Sequence, residues 1–307
     1  MTRFIIMRLL QAFVALIGIS ILIFVLVRAS GDPTMLFRSS LSTEEDVARI
    51  KAELGLDKPV PEQYWIFIKN LAQGDLGESL IKKRPVTDMI VERMPNTISL
   101  TLSSFVVSML LALFLGVLGA TRRDTFLDNG VKFLAILGQA LPGFWVAIMA
   151  ILVFSVYWQL LPPAGTGTPA HFVLPVATMA LFLLPGMMRL VRSSMLDVLD
   201  SEYIRLARIK GLSERIVIWK HALRNALIAP LTAAGMIFAL LITGAVITEN
   251  VFNWPGIGRL SIEALVSRDF PVVQGITLMV AVVVLLVNLL VDIMYAYIDP
   301  QIRYQQM

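Results

Sequence analysis

The chain has no cysteine and only two histidines, His171 and His221. Disulfides, thiol catalysis and cysteine metal sites are excluded, and a histidine-rich metal site with them. Charge is scarce as well: Asp, Glu, Lys and Arg make up 16% of the 307 residues, where a soluble domain carries about a quarter. The shortage is uneven, because the charges gather in a few islands and vanish between them. G-x-x-x-x-G-K-[ST] occurs nowhere, so the chain has no P-loop with which to bind ATP.

What fills the space is apolar. Hydrophobic residues are 57% of the chain, and long uncharged runs separated by charged islands belong to a polytopic membrane protein. Six runs reach the length of a span: residues 9–27, 97–121, 133–161, 172–188, 225–248 and 270–291. Pro162, Pro163, Gly165 and Gly167 divide the third run from the fourth. Arg3 and Arg8 precede the first run as in a signal peptide, but the run is too long for a signal core, so a retained first span is expected.

Six spans place both termini on one side, and the basic residues say which. Arg3, Arg8, Arg122, Arg123, Lys132, the eight basic residues from Arg189 to Arg224, and Arg303 fall on that side. The opposite hairpins are nearly bare: residues 161–171 have no Lys or Arg, and residues 249–269 only Arg259 and Arg268. The expectation is cytoplasmic N and C termini. Basic residues beside spans are not a nucleic-acid footprint. The expected organisation is a first span to residue 28, an external helical domain over 29–96 and a core over 97–307. In the external domain Ser42 or Thr43 precedes Glu44, Glu45 and Asp46, the signature of a helix start, with Gly55 closing that helix and a second one beginning around Pro61.

None of the six runs holds an interior Asp, Glu, Lys or Arg. That argues against an ion-coupled secondary carrier, which needs a group to bind its ion, and against an intramembrane hydrolase. Asn288, Asp292 and Tyr295 share one helical face. Asn288 is a candidate pathway contact there, and interfacial anchoring is the plainer alternative.

The segment 202–230, EYIRLARIKGLSERIVIWKHALRNALIAP, is basic and helix-prone, with a single glycine. Asp200 or Ser201 can cap a helix through Tyr203, Leu206, Ala207 and Lys210, with Arg205 and Arg208 alongside an apolar stripe. Gly211 can adopt the left-handed conformation that stops it, and Ser213 can cap a second helix over 214–227. Trp219 is a candidate apolar anchor, or a residue buried at the membrane interface. The residues by themselves fit both a docking knob and an ordinary positive-inside loop.

This segment resembles the cytoplasmic coupling loop of the permeases of binding-protein-dependent ABC importers, in which a Glu-Ala-Ala triplet lies six residues before a glycine. Here the triplet positions hold Arg205-Leu206-Ala207, without the acid. That departure is similar to the dipeptide/oligopeptide/nickel branch, which reads like R-T-A-R-A-K-G-L and then H-A-L-R-N-A-L. This chain has Arg205 to Leu212 as R-L-A-R-I-K-G-L, and His221 to Leu227 as H-A-L-R-N-A-L. Leu206 and Ile209 differ from the branch's small residues. Gly31-Asp32-Pro33, Leu54 to Pro59, Gly74-Asp75-Leu76-Gly77, Arg192-Ser193-Ser194, Glu249 with Phe252, Pro255-Gly256-Ile257-Gly258, Arg268 to Pro271 and Asp299-Pro300 look like the same branch, in the same order.

The resemblance implies an all-α permease with six transmembrane helices, the type I fold, in the inner membrane of a bacterium or archaeon. It would be non-catalytic and would import di- or oligopeptides; nickel-chelate, glutathione or opine uptake are the alternatives within the family. Its partners would be a second, similar permease, two ABC ATPase subunits holding ATP and Mg, a periplasmic or lipid-anchored binding protein, and membrane lipids. The resemblance assigns ATPase coupling to Tyr203, Arg205, Leu206, Ala207, Arg208, Lys210, Gly211, Leu212, Trp219, His221, Arg224 and Asn225. Glu249, Phe252, Pro255, Gly256 and Gly258 would form an outer gate or a contact for the binding protein.

Overall fold

A backbone in hydrocarbon must satisfy its own polar groups, which leaves helices or closed barrels. The computed structural model, which describes residues 2–29 and 57–298, is helical, and among the described residues there is no strand. In chain order the helices are α1 (Thr2–Ala29), α2 (Val60–Ala72), α3 (Val86–Thr121), α4 (Phe126–Ala140) and α5 (Gly143–Ala150, continued by the π-helical Ile151–Tyr157). Then come α6 (Ala170–Leu199), α7 (Glu202–Ile209), α8 (Glu214–Ile216, continued by the π-helical Val217–Ala222 and Leu223–Ala226), α9 (Ile228–Val251), α10 (Ile257–Val266) and α11 (Phe270–Ile298). The expected external helix at Ser42 and Thr43, with its stop at Gly55, lies outside the described residues. The second one, at Pro61, is α2, with the proline in its first turn.

By length and composition α1, α3, α6 and α11 can each cross a membrane, and α4 with α5 makes a fifth crossing if the bent pair is one span. The 24-residue α9, Ile228–Val251, covers residues 228–248 of the run at 225–248, so six spans fit. The third run, a single candidate span over 133–161, is not one continuous helix. It breaks, and the two halves meet at 101°. Pro142 is the cause: it disfavours helical backbone at the residue before it, and Leu141 is extended (φ −91°, ψ 129°). The helices also outrun the uncharged stretches. α6 continues through Arg189, Arg192 and Asp197, and α9 through Glu249.

The described residues divide into two compact units, residues 2–29 and 57–95 with 256–286, and residues 96–255 with 287–298. In the first, α2 is fastened to α1. Phe67 and Leu71 pack with Ile23 and Val27, Ser20 Oγ and Tyr64 Oη are 2.9 Å apart, and Arg28 donates to Gln63 and stacks over Phe24. A second cluster joins the start of α3 (Val86, Met89, Ile90) to α10 and α11 through Ile257, Leu260, Val272 and Ile276. Gly275 makes this possible, since a side chain there would collide with Val86.

In the other unit α6 is central. Its apolar window is 61% buried, against 17% for α1 and 11% for α11. Association inside a membrane depends on close van der Waals packing, which small residues permit. A Cβ on Gly116 would lie 2.7 Å from Val191 and 2.9 Å from the Met188 carbonyl oxygen, and one on Gly138 would lie 2.6 Å from Pro185. Pro185 and Pro175 sit inside α6, and both are buried. Gly116→Val is expected to destabilise the protein by about 1–3 kcal/mol through overpacking. A thermal midpoint several degrees below that of the wild type in detergent is the readout, and an unchanged midpoint would contradict the α3–α6 contact.

Candidate functional site

The segment after α6 folds into two short helices joined by a sharp turn. Ser201 occupies the N-cap position of α7 with extended backbone, but its hydroxyl makes no cap bond and donates back to the Val198 carbonyl at 2.5 Å. Ser213 likewise begins α8 without a side-chain cap bond. The turn itself is as expected. Gly211 is left-handed, φ +76°, its N–H donates to the Arg208 carbonyl at 2.9 Å, and the Leu212 N–H returns to the Ala207 carbonyl at 3.4 Å. That is a Schellman closure. Leu212 packs against the cluster that holds Ala207, which is the apolar contact that usually accompanies such a turn. Arg208 Nε spans it to Glu214 Oε1 at 2.8 Å.

The apolar stripe of α7 is not the one composition suggested. Ile204 and Ala207 face inward, with Val217, Ala222 and Ala226 of α8 and Val117, Ala120, Val191 and Met195 of α3 and α6. Tyr203 and Leu206 are exposed instead, because positions 204 and 207 lie one turn apart on the packed face. Tyr203 gains a different role: its Oη accepts from Asn225 Nδ2 at 2.8 Å, tying α7 to the end of α8. The outer surface carries Arg205, Arg208, Lys210, Arg224 and the exposed Leu206, Ile209 and Trp219. Trp219 is 51% exposed, so it is not a buried core residue of this chain; His221 is half-buried beside it in sequence.

Where α6 leads into this segment, the structure adds a residue that sequence reasoning passed over. Asp128, third residue of α4, has no exposed surface, and Arg192 of α6 grips it with both ends of its guanidinium: Nε to Oδ1 at 2.7 Å and an Nη to Oδ2 at 2.9 Å. Lys132 Nζ lies 2.8 Å from Oδ2, and the Asp124 N–H donates to the same oxygen at 3.1 Å. A bidentate guanidinium–carboxylate pair fixes direction as well as distance, and the start of a helix favours an anion. Gly119 leaves room, since a Cβ there would crowd Val131, Arg192 and Asp128. The one available signal was a lone acid in the first turn of a mostly apolar helix, with Lys132 four residues on.

α9 is closed by Asn253 in the left-handed region (φ 52°) and by the Trp254 N–H donating to the Glu249 carbonyl at 2.8 Å. Glu249 and Phe252 are buried, not displayed. Thr97 Oγ1 donates to Glu249 Oε1 at 2.6 Å. Trp254, fully buried and absent from the sequence-based candidates, donates from Nε1 to the Asn96 carbonyl at 3.0 Å, and Asn96 Nδ2 donates to the Pro255 carbonyl at 2.9 Å. Gly256 and Gly258 are buried at the start of α10. Asn288 is exposed on α11; the side chain of Tyr295 lies outside the described residues. A cavity of about 670 Å³ is lined by Ser103, Gly167, Thr168, Pro169, Phe172, Val173 and Val176, none of them titratable.

Long apolar helices, a bent apolar helix pair and an exposed basic helix–turn–helix mark a multi-pass membrane protein. Comparison then places it. Residues 1–101 match the N-terminal region of the binding-protein-dependent transport system membrane components, and residues 108–304 match the binding-protein-dependent transport system inner membrane component. The chain belongs to that family. It is 42% identical over 313 residues to a Brucella abortus (strain 2308) protein bearing the provisional name peptide transport system permease protein, covering 99% of this chain and 100% of that one. To the glutathione transport system permease protein GsiC of Pectobacterium atrosepticum it is 39% identical over 306 residues, again covering 99% and 100%. Among solved structures, the MetNI methionine ABC transporter in an inward-facing conformation aligns with a TM-score of 0.60 at 16% identity, over 69% of this chain and 96% of that one, a likeness of fold. The chain is therefore a non-catalytic, multi-pass inner-membrane subunit of an ABC importer, in which separate subunits hydrolyse ATP and a binding protein presents the substrate.

The two tryptophans separate packing from surface. Trp254→Ala should cost about 3–5 kcal/mol, the usual range for emptying a buried aromatic site. Trp219→Ala should stay within about 0.5 kcal/mol, as exposed positions do. Thermal unfolding of both variants in detergent checks this, and equal midpoints would contradict the assignment of Trp254 to the core.

Proposed function

We propose that this chain forms one half of the translocation pathway of an ATP-driven importer of small peptides, and that residues 202–225 are its port for energy. The observation that carries the reading is the Gly211 turn. It presents Leu206, Ile209, Trp219 and a set of cations on a rigid two-helix knob, in a chain that has no nucleotide site of its own. Exposed apolar side chains ringed by Arg and Lys suit a groove on another protein. ATP and Mg belong to the two ATPase subunits that supply such grooves. A second, homologous permease completes the pathway, and the positive-inside pattern supports cytoplasmic N and C termini.

The substrate class follows from the relatives. One is named for peptides and another for glutathione, itself a modified tripeptide, and small peptides are what the two have in common. Weak, uncharged contacts in the spans leave selectivity to the binding protein. The exposed Asn288 is a candidate pathway contact. Glu249 and Phe252, both buried, support the outer hairpin as a gate through its shape and not through display of these side chains.

Reconstitution with the ATPases, the second permease and the binding protein tests this. Labelled di- and tripeptides should enter proteoliposomes only with ATP and binding protein present; uptake driven by an ion gradient alone would refute it. Gly211→Pro cannot reproduce φ +76°. It should cut uptake by roughly tenfold or more, since strain above about 1 kcal/mol falls on the docking turn. Uptake equal to the wild type would remove the turn from the mechanism.

A further inference from the structure

We infer that the Asp128–Arg192 pair is a mechanical link, a positioning element that makes α4 move with α6 when the coupling segment moves. The inference rests on the proposed importer function. It goes beyond that function in naming the route by which motion at α7 reaches the bent span.

The geometry supports this on three counts. First, Arg192 lies on α6 seven residues before its last residue, Leu199, and α7 begins at Glu202. The cytoplasmic end of α6 and the coupling segment share one apolar cluster, with Val191 and Met195 packed on Ile204 and Ala207. A push on α7 is therefore a push on the Arg192 turn. Second, α4 lies along α6 through an apolar seam, with Val131 and Ala135 clustered with Leu184, Met187 and Met188, and Gly138 seated on Pro185. The bidentate ion pair at Asp128 stands at one end of that seam, ten residues from Gly138 and about 15 Å along the helix axis. Apolar contacts hold the helices together without fixing direction, whereas the guanidinium fork does fix it, so the ion pair sets how α4 follows α6. Third, α4 ends at Ala140, and past the extended Leu141 the chain turns through 101° into the apolar α5. Motion of α4 is delivered to that bend.

The chemistry of the pair suits a link that holds under load. Asp128 has no exposed surface, and four donor contacts converge on it: two from Arg192, one from Lys132 and one from the Asp124 N–H. A guanidinium fork on a carboxylate has one geometry, and an ammonium cannot reproduce it. Lys132 is on α4 itself, so it neutralises charge without joining the helices.

The experiment uses the full transporter in proteoliposomes and reads peptide moved per ATP hydrolysed. Asp128→Asn and Arg192→Lys should assemble and hydrolyse ATP, while peptide moved per ATP falls about tenfold, within the ordinary range of coupling between sites. The double variant should be no worse than either single one. Because the natural chain has no cysteine, Asp128→Cys with Arg192→Cys provides its only thiols. Joining them with a short, reducible thiol-reactive linker should restore the ratio, and reduction should abolish it again. A fall in assembled complex with an unchanged ratio in what remains, or no recovery on linking, would overturn the link in favour of a purely structural ion pair. Failure of the wild type to couple ATP to uptake would instead refute the importer reading.

Discussion

Without side chains at Gly116 and Gly138, the backbones of α3 and α4 can rest directly against Val191 and Pro185 of α6. Lipid offers helices little hydrophobic reason to associate, so contact of this closeness is what packs them. The consequence is a central helix, α6, buried by α3, α4 and α9 along much of its length. The two-helix segment 202–226 follows that helix after the turn at Asp200 and Ser201. Its inner face, Ile204, Ala207, Val217 and Ala222, closes over the ends of α3 and α6 in one cluster. The outward display of Leu206 and Ile209 follows from that closure.

The same backbone constraint explains where the chain departs from straight helix. In hydrocarbon every peptide group must be bonded, so a break needs a specific cause. Pro142 supplies one in the bent span. Gly211 and Asn253 supply others at helix ends, where the amides after a left-handed residue return to the last turn. Several polar groups inside the protein are handled likewise. Thr97 serves Glu249, Trp254 serves the Asn96 carbonyl, and Arg192 and Lys132 serve Asp128.

Much of this was legible in residue order. Span positions came from uncharged runs, the turn from Gly211, and the helix α2 from Pro61. The resemblance to importer permeases rested on R-L-A-R-I-K-G-L and H-A-L-R-N-A-L, which fall on α7 and α8. What was not legible depends on partners distant in sequence. Asp128 and Arg192 are 64 positions apart, and nothing in either neighbourhood names the other. Ile204 faces inward and Leu206 outward because α3 and α6 lie beneath, which local periodicity over eight residues does not determine. Pro142 marks a kink within its apolar run, but the 101° size of the bend is set by packing and not by the run's composition. Glu249 was taken for a loop residue because the helix outlasts the uncharged stretch by one turn.

The central claim is that the knob built on Gly211 is covered by an ATPase in the working protein. It is tested most directly at Ile209, 79% exposed in this chain. Ile209→Cys would be the only thiol in the chain, and its labelling by a membrane-impermeant maleimide can be followed in inverted membrane vesicles. With the ATPase subunits bound, labelling should slow strongly, and stripping them should restore it. Equal labelling rates with and without the ATPases would contradict the account.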